Sequence, residues 1–184
     1  MKLIPLFASA LLAIAASAYS RDEYVIKKVQ PSVIRTPIMQ FTGDTRRTGQ
    51  SQQWLEVEVS FESNIEITDE LTFKYYVLLG GKCLTGEVTH MNILRGRDLA
   101  SVMYVSPHTI AKMLENKPMT GVSIENAAVQ ILNKGQLVAS KSYKEAGGDW
   151  WQRMQPIPVM YNKNETPFSS LYWDRYEEIK PPIK

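Results

Sequence analysis

An all-β antiparallel sandwich is the fold this sequence predicts, and three observations point to it. Trp54–Ser63 alternates Leu55, Val57, Val59 and Phe61 with Glu56, Glu58, Ser60 and Glu62. Leu71–Leu79 repeats the period of two, with Leu71, Phe73, Tyr75, Val77 and Leu79 on one side. The β-rich runs Ile124–Leu132 and Gln136–Tyr143 flank a short turn, Asn133-Lys134-Gly135. Side chains alternate faces along a strand, so a period of two sorts one set into a core and the other away from it. A helix cannot sort these residues that way. The alternation of strands with helices that a parallel sheet needs is absent.

The elements follow in chain order. Tyr24–Val29 and Val33–Phe41 are β-rich, and Pro31 and Pro37 confine them to edge or broken strands, because proline has no N–H for an interior ladder. Thr42–Gln53 is polar, carries Gly43 and Gly49, and reads as a long loop. After the two alternating strands, Gly80-Gly81 makes a turn. Cys83–Leu94 and Asp98–Val105 are two more strands, separated by Arg95-Gly96-Arg97. Ser106-Pro107 is a helix start, a capping hydroxyl followed by a proline in the first turn. Ile110, Ala111, Met113 and Leu114 give that short helix an apolar stripe. In the hairpin, Gly135 supplies the left-handed turn position.

Composition then changes. Gly147-Gly148, Trp150-Trp151, Pro156 and Pro158 make an aromatic, irregular stretch, and Thr166-Pro167 repeats the cap-plus-proline signal. The spacing predicts a helix over Pro167–Lys180. Phe168, Leu171, Tyr172 and Ile179 fall on its docking side, and Trp173 lies about 100° from Tyr172, off that side. Seven or eight strands with regular turns suit an immunoglobulin- or fibronectin-like antiparallel β-sandwich with a short inserted helix and a C-terminal helical or irregular extension.

At the start, Met1-Lys2 precedes the apolar run Leu3–Ala16, and Ala16-Ser17-Ala18 gives a small-x-small site. The expectation is a secretory signal peptide over residues 1–18, cut before Tyr19. Removing those 18 residues from 184 leaves 166, with residues 19–145 as the sandwich domain and 146–184 as an aromatic extension packed on it. The exported chain should not span a membrane, the leader's apolar run being too short for a span and no later segment being apolar enough. The full chain has 21 basic and 19 acidic residues, and the leader carries only Lys2, so 20 against 19 leaves about +1. That balance gives no electrostatic case for nucleic acid or an anionic membrane. The single cysteine, Cys83, cannot form an internal disulfide, so stability must come from the core, and Cys83 is expected to be a small buried apolar side chain.

Few residues invite a chemical role. The only histidines are His90 and His108, two isolated ligands that do not make a zinc site, and surface or capping roles are expected for both. Cys83 and His90 have opposite parity, which points them to opposite faces unless Gly86 forms a bulge; a thiol–imidazole nucleophile is not expected. Glu56, Glu58 and Glu62 repeat at a simple strand period and read as a solvated sheet face rather than a glycosidase pair, whose members come from separate elements flanking a cleft. By that reading Glu58→Lys should be close to neutral. No phosphate-binding glycine loop and no nucleophile elbow is present, so no cofactor, metal or enzymatic activity is expected. Trp150, Trp151 and Trp173 form the candidate interaction surface, set against the plainer reading that the extension simply covers the sandwich.

The order of motifs resembles a known group. WLEVEVSFES is followed by YVLLGGKCLTGEVTHMNILRGRDLASVMYVSPHTIAKML, VQILNKGQLVASKSY, GGDWWQRM and TPFSSLYWDRYEEIK. Together they look like small secreted verrucomicrobial proteins of the Akkermansia type, associated with type IV pilus-like gene clusters. The resemblance implies an immunoglobulin-like fold and transfers no catalytic residue. The expected role is a non-enzymatic protein of the periplasm, outer membrane surface or exterior that contacts cell-envelope or pilus-like proteins. A carbohydrate-binding module using the three tryptophans is the alternative.

Overall fold

The computed structural model describes residues 23–37, 51–120, 123–144 and 148–182. The expected leader at 1–18, the end of the second β-rich run at 38–41 and most of the predicted loop lie outside the described residues.

The described chain is an antiparallel β-sandwich with one short α-helix and an irregular extension. Its strands are β1 (Tyr24–Arg35), β2 (Gln53–Leu79), β3 (Lys82–Val105), β4 (Ile124–Asn133), β5 (Gln136–Ser142), β6 (Pro156–Pro158) and β7 (Met160–Asn162). Helix α1 (Pro107–Met113) follows β3. Two predicted pairs of short strands are in fact single long strands. Trp54–Ser63 and Leu71–Leu79 are both part of β2, and Cys83–Leu94 and Asp98–Val105 are both part of β3. β2 and β3 pair along their lengths, and the ladder shifts register between Phe61 and Ser63 and between Ser63 and Ile67. Such irregularities bend a strand pair without ending it. The first half of β2 pairs with β1 and the second half with β4, so each half belongs to its own layer of the sandwich.

Alternation decides what lies between the layers. Leu55, Val57, Val59 and Phe61 from one half of β2, and Leu71, Phe73, Tyr75, Val77 and Leu79 from the other, are fully buried in one core. Phe61 and Phe73 meet edge to face at 5.0 Å. The two-residue hairpin Gly80-Gly81 has φ of 57° and 69°, the left-handed pair that matches the twist of its strands. Lys134-Gly135, at 49° and 81°, does the same between β4 and β5, so the predicted hairpin closes on two residues rather than three. Pro31 sits within β1, which among the described residues pairs only with β2 and so tolerates it as an edge strand. α1 starts as expected: the Ser106 side chain accepts from the Thr109 N–H, and Ile110 and Met113 are buried.

The predicted helix over Pro167–Lys180 does not form. That segment is a chain of turns that ends by pairing with β3, through Glu177 N–H to Ala100 C=O at 3.1 Å, Met91 N–H to Glu178 C=O at 2.9 Å and Lys180 N–H to Thr89 C=O at 2.8 Å. A helix would have used those backbone groups internally, and an unpaired stretch of β3 edge outcompetes it for them. β6 and β7 cover the two ends of the same edge, at Cys83–Thr85 and Met103–Val105.

Candidate functional site

The extension does more than cap an edge; it covers the outer faces of the sandwich. On the layer built by β1, the first half of β2 and the second half of β3, Ile34, Trp54, Val102 and Tyr104 point away from the core. Phe168 is buried among them, stacked on Tyr104 at 4.9 Å and edge-on to Trp54 at 5.7 Å, with Leu171 and Tyr176 beside it. On the other layer, Tyr76, Cys83 and Ala128 are covered by Trp150, Trp151 and Met154 from the turn of 3₁₀-helix at Trp150–Arg153. Trp151 stacks on Tyr76 at 5.2 Å and meets Trp150 edge-on at 5.7 Å.

These contacts redistribute the predicted surface. Trp151 is buried, with one face on Tyr76, and cannot serve a partner as a stacking platform. Trp150 is half-buried. Trp173 is 81 % exposed, the most exposed of the large apolar side chains among the described residues. Of the four residues expected to dock the tail, Phe168, Leu171 and Ile179 do so. Tyr172 does not: it is 60 % exposed, because φ of 51° turns the chain there and carries it off the sheet with Trp173.

Beneath this turn lies a cleft of about 280 Å³, lined by Ile34, Glu56, Glu58, Leu171, Tyr172 and Tyr176 among others. The glutamate face predicted to be solvated is its floor. Glu58 accepts from Arg175 Nε at 3.1 Å and from the Tyr176 hydroxyl at 2.9 Å, and Arg175 makes a second bond to it through a terminal nitrogen. Those bonds and the Glu58 charge raise the Arg175 pKa. Glu56 accepts from Ser32 Oγ at 3.2 Å, and burial is the main cause that holds its carboxyl above the usual range, with the Glu58 charge adding to it. Burial likewise pushes the Tyr104 and Tyr176 phenols well above their ordinary value. The site is therefore an open cleft with a half-buried carboxylate pair as its floor, an exposed arginine and an aromatic rim.

A second polar feature was missed at the sequence level. His90 is 1 % exposed, against the expectation of a surface or capping role. Its Nδ1 lies 3.0 Å from the Glu177 carbonyl and its Nε2 2.7 Å from Ser101 Oγ, and Tyr75 donates its hydroxyl to Ser101 at 2.7 Å. A carbonyl only accepts, so Nδ1 carries the proton, Nε2 is the acceptor and Ser101 donates to it. Burial lowers the His90 pKa to about 4. The signal was available: His90 shares parity with Leu84 and Val88, both core residues. Gly86 pairs regularly with Tyr75, so no bulge reverses that parity and Cys83 stays on the opposite face. Glycine is needed at position 86 for another reason, since a Cβ there would come within 2.5 Å of Met160 Cβ.

Cys83 packs with Ala128 and Trp151, and burial raises its thiol pKa. A thiol reagent should therefore label the folded protein slowly and the denatured protein fast. Cys83→Ser should cost about 1–3 kcal/mol through a buried hydroxyl. Rapid labelling of the native protein would refute that placement. Among the described residues, no group of three or more His, Cys, Asp or Glu side chains is arranged to hold a metal, and no helix is long and apolar enough to cross a membrane.

No curated protein matches this chain. A crystal structure of a protein from Akkermansia muciniphila superposes with a TM-score of 0.74, over 88 % of this chain and 94 % of that one, at 23 % identity, a likeness of fold. A family model matches residues 15–182, which include both layers of the sandwich, the cleft and the covering extension. The chain belongs to the family which that model defines.

Proposed function

We propose that this is a non-catalytic, exported protein of the cell envelope that makes protein contacts through the turn carrying Tyr172 and Trp173, with a pilus-like assembly as the setting. The observation that carries the reading is Trp173, held almost wholly in water by a turn whose two ends are anchored by Phe168 on one side and Arg175 on the other. An exposed tryptophan beside a tyrosine, next to a cleft floored by a charged pair, has the makeup of a binding hot spot. The leader-like start supports export, and the family resemblance supports the envelope setting.

Two measurements test this. Trp173→Ala should leave the melting temperature unchanged and reduce recovery of envelope proteins in pull-downs from native extracts at least tenfold, about 1.4 kcal/mol of binding. Phe168→Ala should instead destabilise the fold by about 3 kcal/mol, because it empties an aromatic stack. Equal partner recovery by wild type and Trp173→Ala would refute the site, and glycan binding lost on Trp173→Ala would favour the carbohydrate reading. For export, the mass of the protein recovered from the native organism should correspond to a chain beginning at Tyr19; an intact Met1 would refute it.

A further inference from the structure

We propose that the C-terminal arm Arg175–Lys180 is an acid-released latch, which lies over His90 and lifts locally from the β3 edge when that ring takes up a second proton. The arm is held by backbone bonds to Thr89, Met91 and Ala100 of β3. Arg175 and Tyr176 add bonds to Glu58, and Lys180 adds one to Glu70. His90 belongs to both sides of this contact. Its Nδ1–H donates to the Glu177 carbonyl at 3.0 Å, and its backbone bridges to Ile179. The core side of the ring is closed. Phe73 meets it edge-on at 5.3 Å, Leu71 is its partner on β2, and Ser101, itself bonded by Tyr75, donates to Nε2. Those four neighbours are fully buried, whereas Glu177 and Ile179 on the arm are only half-buried. An imidazolium formed here finds no water inward. Its short route to solvent is outward past the arm, and lifting six residues from an edge disturbs far less than parting the two layers.

The groups around the ring leave the titration to His90. Tyr75, from β2, is kept a neutral phenol by burial. On the arm, Glu177 and Glu178 act on the ring through their backbone, Arg175 is taken up by Glu58, and Lys180 by Glu70. β3 supplies the uncharged Ser101. Burial raises the Glu177 carboxyl, so its protonation favours the seated arm and works against the latch. With the arm lifted the ring titrates at its ordinary 6.5, and with the arm seated at about 4. The seated arm is therefore favoured in full above pH 6.5 and loses ground as pH falls toward 4. Between pH 7 and pH 5 the open-to-seated ratio rises about twentyfold. Lifting frees Arg175 from Glu58, the downstream anchor of the turn that carries Tyr172 and Trp173. The latch rests on the proposed contact surface only for that consequence, since the lift itself is read without a partner.

Amide hydrogen exchange on the full chain at pH 7 and pH 5, corrected for the intrinsic effect of pH, reads the lift. The reporters are the Glu177, Lys180 and Met91 amides, each bonded between the arm and β3. Amides of the ladder between β2 and β4 report global unfolding. The reporters should open well before that ladder, and their opening should rise about twentyfold from pH 7 to pH 5. In His90→Gln the rise should vanish. Reporters that exchange only together with the β2–β4 ladder would overturn the proposal, as would a wild-type opening that does not rise with acid or a rise that His90→Gln retains. The wild-type ratio decides the matter even if His90→Gln fails to fold, because His90 is the one buried histidine among the described residues and Glu177 pulls the other way.

Discussion

Val59→Asp should destabilise the fold by about 3–5 kcal/mol. Val59 is fully buried between the layers, on the core face of β2, opposite Ser101 on β3. Ser101 on that face is already bonded to Tyr75 and to the neutral His90 ring, so a carboxylate there is uncompensated, and such a buried charge costs about 3–5 kcal/mol. A domain of this size has about 5–15 kcal/mol in hand, so the loss takes between about a fifth and all of its stability. The matched control is the neighbouring residue on the opposite face. Glu58→Lys, expected from sequence to be nearly neutral, now carries a cost of about 1–2 kcal/mol, because the lysine would face Arg175 and leave the Tyr176 hydroxyl without its acceptor. Thermal melts of both variants check this. A Val59→Asp protein that melts within a few degrees of wild type would overturn the placement of β2.

Acid should destabilise the protein through His90. The neutral ring fits its site, where one nitrogen donates to Glu177 and the other accepts from Ser101. A second proton would aim a new N–H at Ser101 Oγ and leave the Ser101 proton, which the ring had accepted, without an acceptor in a space closed to water. With a folded-state pKa of about 4, below the ordinary 6.5, the unfolded chain takes up the proton first. The contribution of neutral His90 is therefore fully present above about pH 6.5 and is lost as pH falls toward 4, a change of about 3 kcal/mol. Glu56 and Glu177, whose carboxyls are raised by burial, act in the opposite direction, since the folded state binds their protons first. His90→Gln isolates the imidazole: it keeps hydrogen-bonding groups in place and does not titrate. Urea melts at pH 7 and pH 4 should show a loss in wild type about 3 kcal/mol larger than in the variant. Equal losses in the two proteins would show that His90 is not the acid-sensitive group.

Sequence by itself determined which residues share a face. The period of two placed Leu55, Val57, Val59 and Phe61 together, Cys83 away from His90, and Glu56 with Glu58, and each of those relations holds. Local chemistry also marked the strand end at Gly80-Gly81, the hairpin about Asn133-Lys134-Gly135, though not its two-residue length, and the serine cap of α1, because these depend on the φ values and hydrogen bonds of a few adjacent residues.

What each face meets was decided only in three dimensions. Parity separates two faces, but it does not say that one is wet. In this sandwich the extension covers part of each outer face, so Cys83 is buried there, while His90 is buried on the core side. For the same reason the glutamate face of β2 became the floor of a cleft, and for Trp151, a candidate interaction residue, the plainer reading as a cover holds. The joining of short predicted strands into β2 and β3 has a similar origin, since pairing between the two strands carries each of them through its irregular middle. The tail's amphipathic spacing suited a helix, but the open edge of β3 offered its backbone better use. Contacts between residues more than a hundred positions apart, such as Arg175 with Glu58, leave no trace in a local pattern, and those contacts fix where the exposed turn of Tyr172 and Trp173 stands.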